Sequence, residues 1–263
     1  MTFHTSIRSS PEISLVMPCN NEEAVVRYTI SRLLDSFRGA GYALEIVAVD
    51  NGSTDRTGEL IRELAASDPA VVHHRVDLNE GYGKGVLDGL PVASAPWVGI
   101  IPADGQVDAE DVVRLYEAVH LANSWVVAKV RRRFRLDGFQ RKVVSITYNL
   151  LFRLMWPSVS SIDINGSPKI MPREAIAAMG LKSRGWFLDP EIMIKSNALG
   201  MRVIEFNVFA RLRGGGVSHV KAGTCWEFLA NLLRYRFRGA WRRELVRNRV
   251  AVVANCATAN VKN

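Results

Sequence analysis

The sequence predicts an α/β protein in which helices flank a mostly parallel central sheet, and three observations support this class. Short apolar segments alternate with amphipathic segments through the first half of the 263-residue chain. The apolar segments are continuous, as in strands that are buried on both faces. Strands that alternate with helices favour right-handed crossovers, which build a doubly wound parallel sheet.

The first half contains four predicted strands, each followed by a predicted helix. The strands are Ile13–Met17, Leu44–Val49, Val71–Val76 and Trp97–Ile101. The helices are Glu22–Phe37, Asp55–Ala66, Gly83–Leu90 and Asp108–Leu121. Gly39 and Gly41 follow the first helix and predict its end. Because open parallel sheets bind ligands at the carboxyl ends of their strands, the residues after these four strands are the first candidates for a site.

The second half is less regular. Its predicted strands are Trp125–Val130, an extended segment at Ile164–Met171, and Met201–Phe209. Its predicted helices are Phe139–Met155, Pro172–Met179, Leu188–Leu199 and Cys225–Arg247. The last helix interleaves aromatic and leucine residues with arginines, a pattern typical of an amphipathic helix in a membrane interface. The alternative is a helix that packs on the domain with its basic residues outward.

The composition is that of an ordinary globular protein, with 48% hydrophobic and 23% charged residues, which excludes a disordered chain or a disulfide scaffold. Three cysteines without metal-ligand spacing favour a reducing compartment, so we expect a cytoplasmic protein. The first residues lack the apolar core of a signal peptide. The longest uncharged stretch, Gly89–Ala103, is too short and too rich in proline to span a bilayer.

The net charge of +8 hides a strong asymmetry between the two halves. Residues 1–120 contain 9 Lys or Arg and 18 Asp or Glu, whereas residues 121–263 contain 25 and 8. Uneven surface charge is one interpretation. The other is that the second half meets an anionic partner, such as a phosphorylated substrate, an anionic lipid surface or a nucleic acid.

Four polar segments follow the four strands of the first half. They are Pro18–Glu23, Asp50–Asp55, Asn79–Gly85 and Ala103–Gln106. Each segment alone is typical of turns and helix caps, where Asn, Asp, Gly and Ser are common. Their occurrence at successive strand ends of one sheet indicates a shared ligand site.

These segments resemble the motifs of the family 2 glycosyltransferases of GT-A fold, most closely the branch that makes dolichyl- and polyprenyl-phosphate sugars. The P-x-x-N-E motif corresponds to Pro18, Asn21 and Glu22, and D-D-G-S-x-D to Asp50, Asn51, Gly52, Ser53 and Asp55. The N-x-G-x-G motif corresponds to Asn79, Gly81 and Gly83, followed by Lys84, and D-x-D-x-Q to Pro102, Asp104 and Gln106. The resemblance covers residues 12–220 and implies a GT-A domain.

The resemblance implies a nucleotide-sugar donor at the strand ends. The implied donor contacts are Pro18, Asn21, Glu22, Asp50, Asn51, Ser53, Gly81 and Lys84, together with Arg213 and Ser218 in a later R-x-x-G-x-S segment. Asn51 stands where the family often has a second Asp. Because an amide can both donate and accept hydrogen bonds, the preferred nucleotide base stays open.

The resemblance also implies a Mg²⁺ or Mn²⁺ ion. Asp104 and Gln106 would be its ligands, and Asp104 would contribute to catalysis as the ion neutralises the departing nucleoside diphosphate. Pro102 replaces the first Asp of the family's metal motif and offers no side-chain ligand. We therefore expect a weaker metal site, or one that fills only with donor phosphates present. Metal independence is the alternative.

The second half carries the implied acceptor site. The implied ligands of an acceptor phosphate are Arg131, Arg141, Ser145 and Lys169. Arg141 and Ser145 match the R-x-x-x-S spacing of the branch, and lie one helical turn apart on one helix face. Arginine suits phosphate because its planar fork forms paired, charge-assisted hydrogen bonds. Asp189 and Glu191 lie where many relatives place an acidic residue near the acceptor.

The resulting prediction is an inverting glycosyltransferase that moves a sugar from a nucleotide-sugar to a polyprenyl phosphate. Residues 1–220 would form the GT-A domain, with a donor half (1–122) and an acceptor half (123–220). Residues 221–263 would attach the protein peripherally to the anionic inner face of a membrane, alone or with a separate membrane-protein subunit.

Three alternatives remain open at this stage. Transfer to a hydroxyl acceptor would need a general base, and Asp189 or Glu191 would be the candidate. A noncatalytic nucleotide-sugar-binding relative is suggested by Pro102. Nucleic-acid binding would suit the basic half but leaves the four strand-end segments unexplained, so we expect no nucleic-acid partner.

Overall fold

The fold is a seven-stranded sheet with helices on both faces. The computed structural model describes residues 10–122, 125–134, 139–209, 222–237 and 239–260, and the side chains of these residues except 133–134, 139–146, 222–229 and 253–260. The strands are β1 (Ile13–Cys19), β2 (Leu44–Asn51), β3 (Val71–Val76), β4 (Trp97–Ile100), β5 (Val126–Phe134), β6 (Lys169–Pro172) and β7 (Arg202–Phe209). The helices are α1 (Val26–Gly39), α2 (Thr57–Ser67), α3 (Tyr82–Gly89), α4 (Ala109–His120), α5 (Phe139–Met155), α6 (Arg173–Met179), α7 (Leu188–Ala198), α8 (Ala222–Phe237) and α9 (Ala240–Asn260).

The sheet has the strand order β3-β2-β1-β4-β6-β5-β7. Strands β1 to β4 pair in parallel, and so do β5 and β7, whereas β6 is antiparallel to both of its neighbours. The predicted mostly parallel sheet is confirmed. The reversal of β6 places Lys169 opposite Ile100, so the amino end of β6 lies at the edge where β4 ends.

Both faces of the sheet are covered by apolar side chains. In β1, Leu15 packs with residues of α1, α2 and α4, while Val16 packs on the opposite face with residues of α3, α6, α7 and α9. Successive side chains of a strand point to opposite faces. The continuous apolar strands in the sequence therefore reflect burial on both sides.

The C-terminal region differs from the single helix predicted for residues 225–247. It forms two helices, α8 and α9, which are separated at Gly239, where φ is +35°. Glycine adopts positive φ without a steric penalty, so the chain can turn there. Leu232 and Leu245 are buried, and Trp241 stacks on Tyr235 with ring centroids 5.1 Å apart, so this region packs partly on the domain.

Exposed apolar side chains also occur in this region and on the neighbouring helix α5, which contacts α8. Phe237 is 80% exposed and Leu154 is 71% exposed. Within the ranges described above, no helix is both long and apolar enough to cross a membrane.

A lysine is buried inside the sheet. Lys129 on β5 forms an ion pair with Glu205 on β7 (Nζ to Oε1, 3.0 Å) and donates a hydrogen bond to the carbonyl oxygen of Asp163. It is also the register partner of a second buried lysine, Lys169. Burial and, next, the charge of Lys169 lower the pKa of Lys129 to about 8, although Glu205 opposes the shift.

We predict that this burial makes stability depend on pH. The unfolded chain keeps the Lys129 proton until about pH 10.5, whereas the native state releases it near pH 8. Because the unfolded state binds more protons between these values, the free energy of unfolding of the wild type, relative to Lys129→Met, should rise across pH 8–10 by on the order of 2 kcal/mol. Urea unfolding at several pH values measures this difference. The prediction is refuted if the difference between wild type and Lys129→Met does not change across this pH range.

Candidate active site

The predicted strand-end segments meet at one edge of the sheet. Strands β1 and β2 pair so that Pro18 lies beside Val49 and Cys19 beside Asp50. A Cβ atom added to Gly85 would lie 3.0 Å from the side-chain amide of Asn51 and 3.1 Å from the Cβ of Pro18. The structure therefore brings three of the four predicted segments into direct contact.

The buried side chain of Asp50 stabilises the loop at this edge. Its buried carboxylate accepts a hydrogen bond from the backbone N–H of Ser53 (3.1 Å) and forms an ion pair with Arg75 of β3. The Ser53 hydroxyl in turn accepts a hydrogen bond from the backbone N–H of Asn21 (3.2 Å). These contacts fix the loop after β2. Both carboxylate oxygens are engaged within the protein, so the predicted donor contact of Asp50 would have to share them with Ser53 and Arg75, and it stays a prediction.

The side-chain oxygen of Asn51 can still accept a hydrogen bond, unlike the oxygens of Asp50, which already have partners. Its amide nitrogen donates hydrogen bonds to Asn79 Oδ1 (3.3 Å) and to the carbonyl oxygen of Gly81 (3.2 Å). Its Oδ1 atom is buried and has no hydrogen-bond partner among the described residues. A buried acceptor without a partner costs free energy, so an N–H group of a ligand would be stabilising here.

The first segment also serves to hold the loop after β2. Asn21 has φ +55°, and its Oδ1 accepts a hydrogen bond from the backbone N–H of Thr54 (2.9 Å). Glu22 is buried, and its backbone N–H donates to the Thr57 hydroxyl (2.8 Å). Both predicted donor residues therefore lie at the predicted edge.

The glycine-rich segment makes room for the protein's own backbone. A Cβ atom at Gly81 would lie 2.8 Å from the carbonyl oxygen of Arg184, and one at Gly83 would clash with that of Ser183. The two glycines admit residues 183–187, the segment before α7, whose Trp186 stacks on Tyr82 with centroids 5.0 Å apart and an interplanar angle of 8°. The donor contact that the resemblance implies for Gly81 stays a prediction.

Lys84 is anchored at this contact. Its backbone N–H donates to the carbonyl oxygen of Arg184 (2.7 Å), and its ammonium group forms an ion pair with Asp88 one helical turn away. The side chains of the pair are about one quarter exposed. The predicted contact of Lys84 with the donor diphosphate would require this ion pair to open.

A cluster of charged side chains lies where β4 and β5 end and β6 begins. We call it the central cluster, and it consists of Tyr82, Asp104, Arg132, Asp163, Lys169 and Asp189. Arg132 donates two hydrogen bonds to the carboxylate of Asp163 (3.0 and 3.2 Å) and one to the carbonyl oxygen of Asn165 (2.9 Å). The buried Lys169 forms an ion pair with the buried Asp189.

The charges of the central cluster act on one another. Burial raises the pKa of Tyr82 well above its usual value, and the charge of Asp189 raises it further. Burial opposes ionisation of Asp163, but the guanidinium group of Arg132 holds the pKa of this carboxyl well below its usual range. Burial by itself would lower the pKa of Arg132. The charge of Asp163, followed by those of Asp189 and Asp104, outweighs burial and raises the pKa of Arg132 above its usual value. Arg132 and Asp163 are therefore both charged at neutral pH, and Tyr82 is neutral.

The sequence predicts Arg131 as a ligand of the acceptor phosphate, but the arginine that enters the central cluster is its neighbour Arg132. The two are neighbours in β5, and neighbouring side chains leave opposite faces of a strand. Arg132 enters the central cluster, whereas Arg131 makes no ion pair within the described part of the chain. The basic run 131–135 was a visible signal, but the sequence does not tell which of its members turns inward.

The loop after β4 carries the predicted metal ligands. The backbone N–H of Gln106 donates to Asp104 Oδ1 (3.1 Å), and both residues line a cavity of about 220 Å³ between this loop and α1. Among the described residues, no three His, Cys, Asp or Glu side chains are grouped so as to hold a metal ion. Asp104 and Gln106 are oxygen donors suited to Mg²⁺ or Mn²⁺, and fit such an ion when a ligand adds further oxygens.

Asp189 and Glu191 have different surroundings, because residues two apart on a helix do not share a face. Asp189 belongs to the central cluster. Glu191 is 1% exposed; it forms an ion pair with Lys195 (2.7 Å) and accepts hydrogen bonds from the backbone N–H groups of Lys182 (3.1 Å) and Ser183 (2.8 Å). These contacts hold the beginning of the 183–187 segment. The role of Glu191 as a catalytic base stays a prediction, and it would require these contacts to open.

Four predicted site residues cannot be placed in this way. Arg213 and Ser218 lie outside the described residues. Arg141 and Ser145 lie on α5, and their side chains are outside the described part of the structure. Their predicted roles stay predictions.

The chain matches a family model over much of its length. The model is Glycosyl transferase family 2, and the match covers residues 14–179. This range contains all four strand-end segments and most of the central cluster. The chain belongs to glycosyl transferase family 2.

Curated relatives include enzymes named for lipid-phosphate acceptors. The chain is 33% identical over 209 residues to an undecaprenyl-phosphate 4-deoxy-4-formamido-L-arabinose transferase from Pectobacterium carotovorum, covering 78% of this chain and 62% of the relative. It is 27% identical over 230 residues to the dolichol-phosphate mannosyltransferase of Pyrococcus furiosus, covering 85% and 63%. The chain thus spans somewhat less than two thirds of the length of these relatives.

Solved structures with the same fold include glucosyl-3-phosphoglycerate synthase from Mycobacterium tuberculosis in complex with Mn²⁺, uridine diphosphate and phosphoglyceric acid. The TM-score is 0.67 at 20% sequence identity, covering 86% of this chain and 78% of that one. At this identity the similarity establishes the fold, which is the predicted GT-A fold.

We predict that Glu191→Gln destabilises the protein. Removing one partner of a buried ion pair leaves the other charge uncompensated, which typically costs about 3 kcal/mol or more. Chemical denaturation measures the loss. Glu63→Gln, which removes a surface ion pair with Arg27, is the matched control and should change little. Unchanged stability with a selective loss of transfer to hydroxyl acceptors would instead support a role for Glu191 as a base.

Proposed function

We propose that this chain is an inverting glycosyltransferase that moves a sugar from a nucleotide-sugar donor to a polyprenyl phosphate. One observation carries the choice of acceptor. Both candidate bases are engaged, Asp189 by Lys169 and Glu191 by Lys195 and two backbone N–H groups. A hydroxyl acceptor must lose a proton to a base, whereas a phosphate acceptor arrives as an anion and needs none.

The donor would bind across the ends of β1, β2 and β4. The unpartnered oxygen of Asn51 is suited to an N–H group of the nucleotide base, and Glu22 and Pro18 border the same edge. Asp104 and Gln106 would hold a Mg²⁺ or Mn²⁺ ion together with the donor's diphosphate, and the ion would neutralise charge on the leaving group. Arg213 and Ser218 remain proposed contacts of that diphosphate.

The acceptor phosphate would bind beside the central cluster. Arg132 lies there with 16% of its side chain exposed, and the buried Lys169 belongs to the same cluster. The predicted Arg131, Arg141 and Ser145 remain proposed acceptor contacts. An acceptor oxygen would attack the anomeric carbon in line with the departing nucleoside diphosphate, so the protein contributes positioning and charge stabilisation more than proton transfer.

The acceptor would be reached at the cytoplasmic face of a membrane. The exposed apolar side chains of α5 and α8 include Leu150, Leu154, Leu233 and Phe237, and Arg234 and Arg236 lie among them. We propose that this face meets an anionic bilayer, alone or beside a membrane-protein subunit, and that residues 1–122 and 123–220 divide donor and acceptor binding as predicted.

Transfer assays test the proposal directly. The full chain is given nucleotide-sugars with a polyprenyl phosphate in detergent, or with soluble sugars that offer only hydroxyl groups. Transfer to the phosphate and not to the hydroxyls is the expected result. Efficient transfer to hydroxyls alone would overturn the proposed acceptor, and donor binding without any transfer would indicate a noncatalytic relative.

We predict that Asp104→Asn weakens metal-dependent donor binding. The variant loses the single carboxylate among the proposed metal ligands, so calorimetry should show that Mg²⁺ no longer raises the affinity for a nucleoside diphosphate. Transfer should fall with it. Asp77→Asn, at a fully exposed position on the same edge, is the control. Equal metal dependence in wild type and Asp104→Asn would show that the ion, if used, binds elsewhere.

We predict that Arg132→Lys impairs use of the acceptor. Lysine keeps the charge near Asp163 but replaces the planar fork by a point charge. Losing a hydrogen bond to a charged group costs roughly 1.5–3 kcal/mol, so kcat/KM for polyprenyl phosphate should fall about tenfold to a hundredfold. Donor affinity, measured by calorimetry, should stay close to wild type. A loss of donor affinity with an unchanged acceptor KM would assign Arg132 to the donor site.

A further inference from the structure

A second cleft lies outside the site described above. It has a volume of about 330 Å³ and separates the 183–187 segment from helix α8. Its lining residues are Ser183, Arg184, Gly185, Phe187, Asn231, Arg234 and Tyr235. None of them belongs to the central cluster or to the four strand-end segments, so the proposed reaction leaves this cleft without a role.

The lining of this cleft is cationic. Arg184 and Arg234 contribute guanidinium groups and Asn231 contributes an amide, and none of the described side chains that line the cleft is acidic. Arg184 is oriented by an ion pair with Glu80 (3.1 Å). Arg234 is exposed and makes no ion pair with any residue that the structure describes.

One wall of the cleft is aromatic. The rings of Phe187 and Tyr235 lie with centroids 5.3 Å apart and tilted by 56°. The Tyr235 hydroxyl donates to Glu191 (3.4 Å), which fixes the ring. A ligand that combines an anionic group with a short apolar part would meet both the cations and this wall.

We propose that this cleft binds a phosphate ester through Arg234, Arg184 and Asn231. Guanidinium groups bind phosphate oxygens by paired, charge-assisted hydrogen bonds, and the amide adds a donor. The ester is either the headgroup of an anionic lipid or a free small molecule. The cleft adjoins α8, whose exposed Leu233 and Phe237 place a lipid headgroup within reach.

The 183–187 segment lies between the cleft and the glycine-rich segment. It forms one wall of the cleft, while its other side contacts the glycine-rich segment through Trp186 on Tyr82 and through the hydrogen bond from Lys84 to Arg184. A ligand in the cleft would therefore contact the same segment that packs against Gly81 and Gly83.

Binding of glycerol phosphate to the full chain, titrated by calorimetry at low salt, tests the proposal. Arg234→Gln should weaken binding about tenfold or more, since it removes hydrogen bonds to a charged group. Arg234→Lys should weaken it less. The matched control is Arg236→Gln, which removes an exposed arginine of the same helix that does not line the cleft.

A second arm uses flotation with phosphatidylglycerol vesicles. The ligand is a lipid headgroup if Arg234→Gln weakens binding both to the vesicles and to glycerol phosphate, while Arg236→Gln weakens each of them less. The ligand is a free ester if Arg234→Gln weakens binding to glycerol phosphate and leaves binding to the vesicles unchanged. If Arg234→Gln and Arg236→Gln weaken binding equally, general charge attraction explains the binding and the proposal is overturned. A complete lack of glycerol-phosphate binding would also overturn the proposal. So would a loss of glycerol-phosphate binding in Arg132→Lys but not in Arg234→Gln, because that result would place the phosphate at the central cluster. No measurement here involves sugar transfer, so the result is independent of the proposed reaction.

Discussion

The antiparallel pairing of β6 with β4 is the constraint on which the site depends. This pairing sets Lys169 opposite Ile100 and brings the preceding segment, with Asp163, to the edge where the parallel strands end. Asp163 then holds Arg132, and Lys169 holds Asp189. Had β6 run parallel to β4, its amino end would lie at the far edge of the sheet. The central cluster would not form.

The contact between the two halves of the chain explains several residues at once. The 183–187 segment packs against the glycine-rich segment so closely that Gly81 and Gly83 have no space for a side chain. Glu191 and Lys195 hold the segment from within α7. This contact joins the proposed donor edge of the first half to the proposed acceptor side of the second half, although the two halves carry opposite net charge.

Most carboxylates near the site are committed to partners in the protein. Asp50 supports a loop, Asp163 and Asp189 neutralise cations, and Glu191 fixes a segment. Burying a carboxylate is tolerated only with such partners, and each of these side chains is occupied by contacts within the protein. An enzyme of this kind is matched to an acceptor that is already ionised, which connects the electrostatics of the fold to the proposed phosphate chemistry.

The sequence by itself determined the class of fold, the strand-end segments and the family, because burial on both faces and helical periodicity leave direct traces in residue order. The limits of β3 and α5 were predicted to the residue. Tertiary structure alone decided the direction of β6, the break at Gly239, the choice of Arg132 over Arg131, and the different roles of Asp189 and Glu191. A four-residue strand carries no sign of its direction, and a charged residue type does not reveal its partner, because partners such as Lys169 and Asp189 are 20 residues apart and meet only when the sheet has formed.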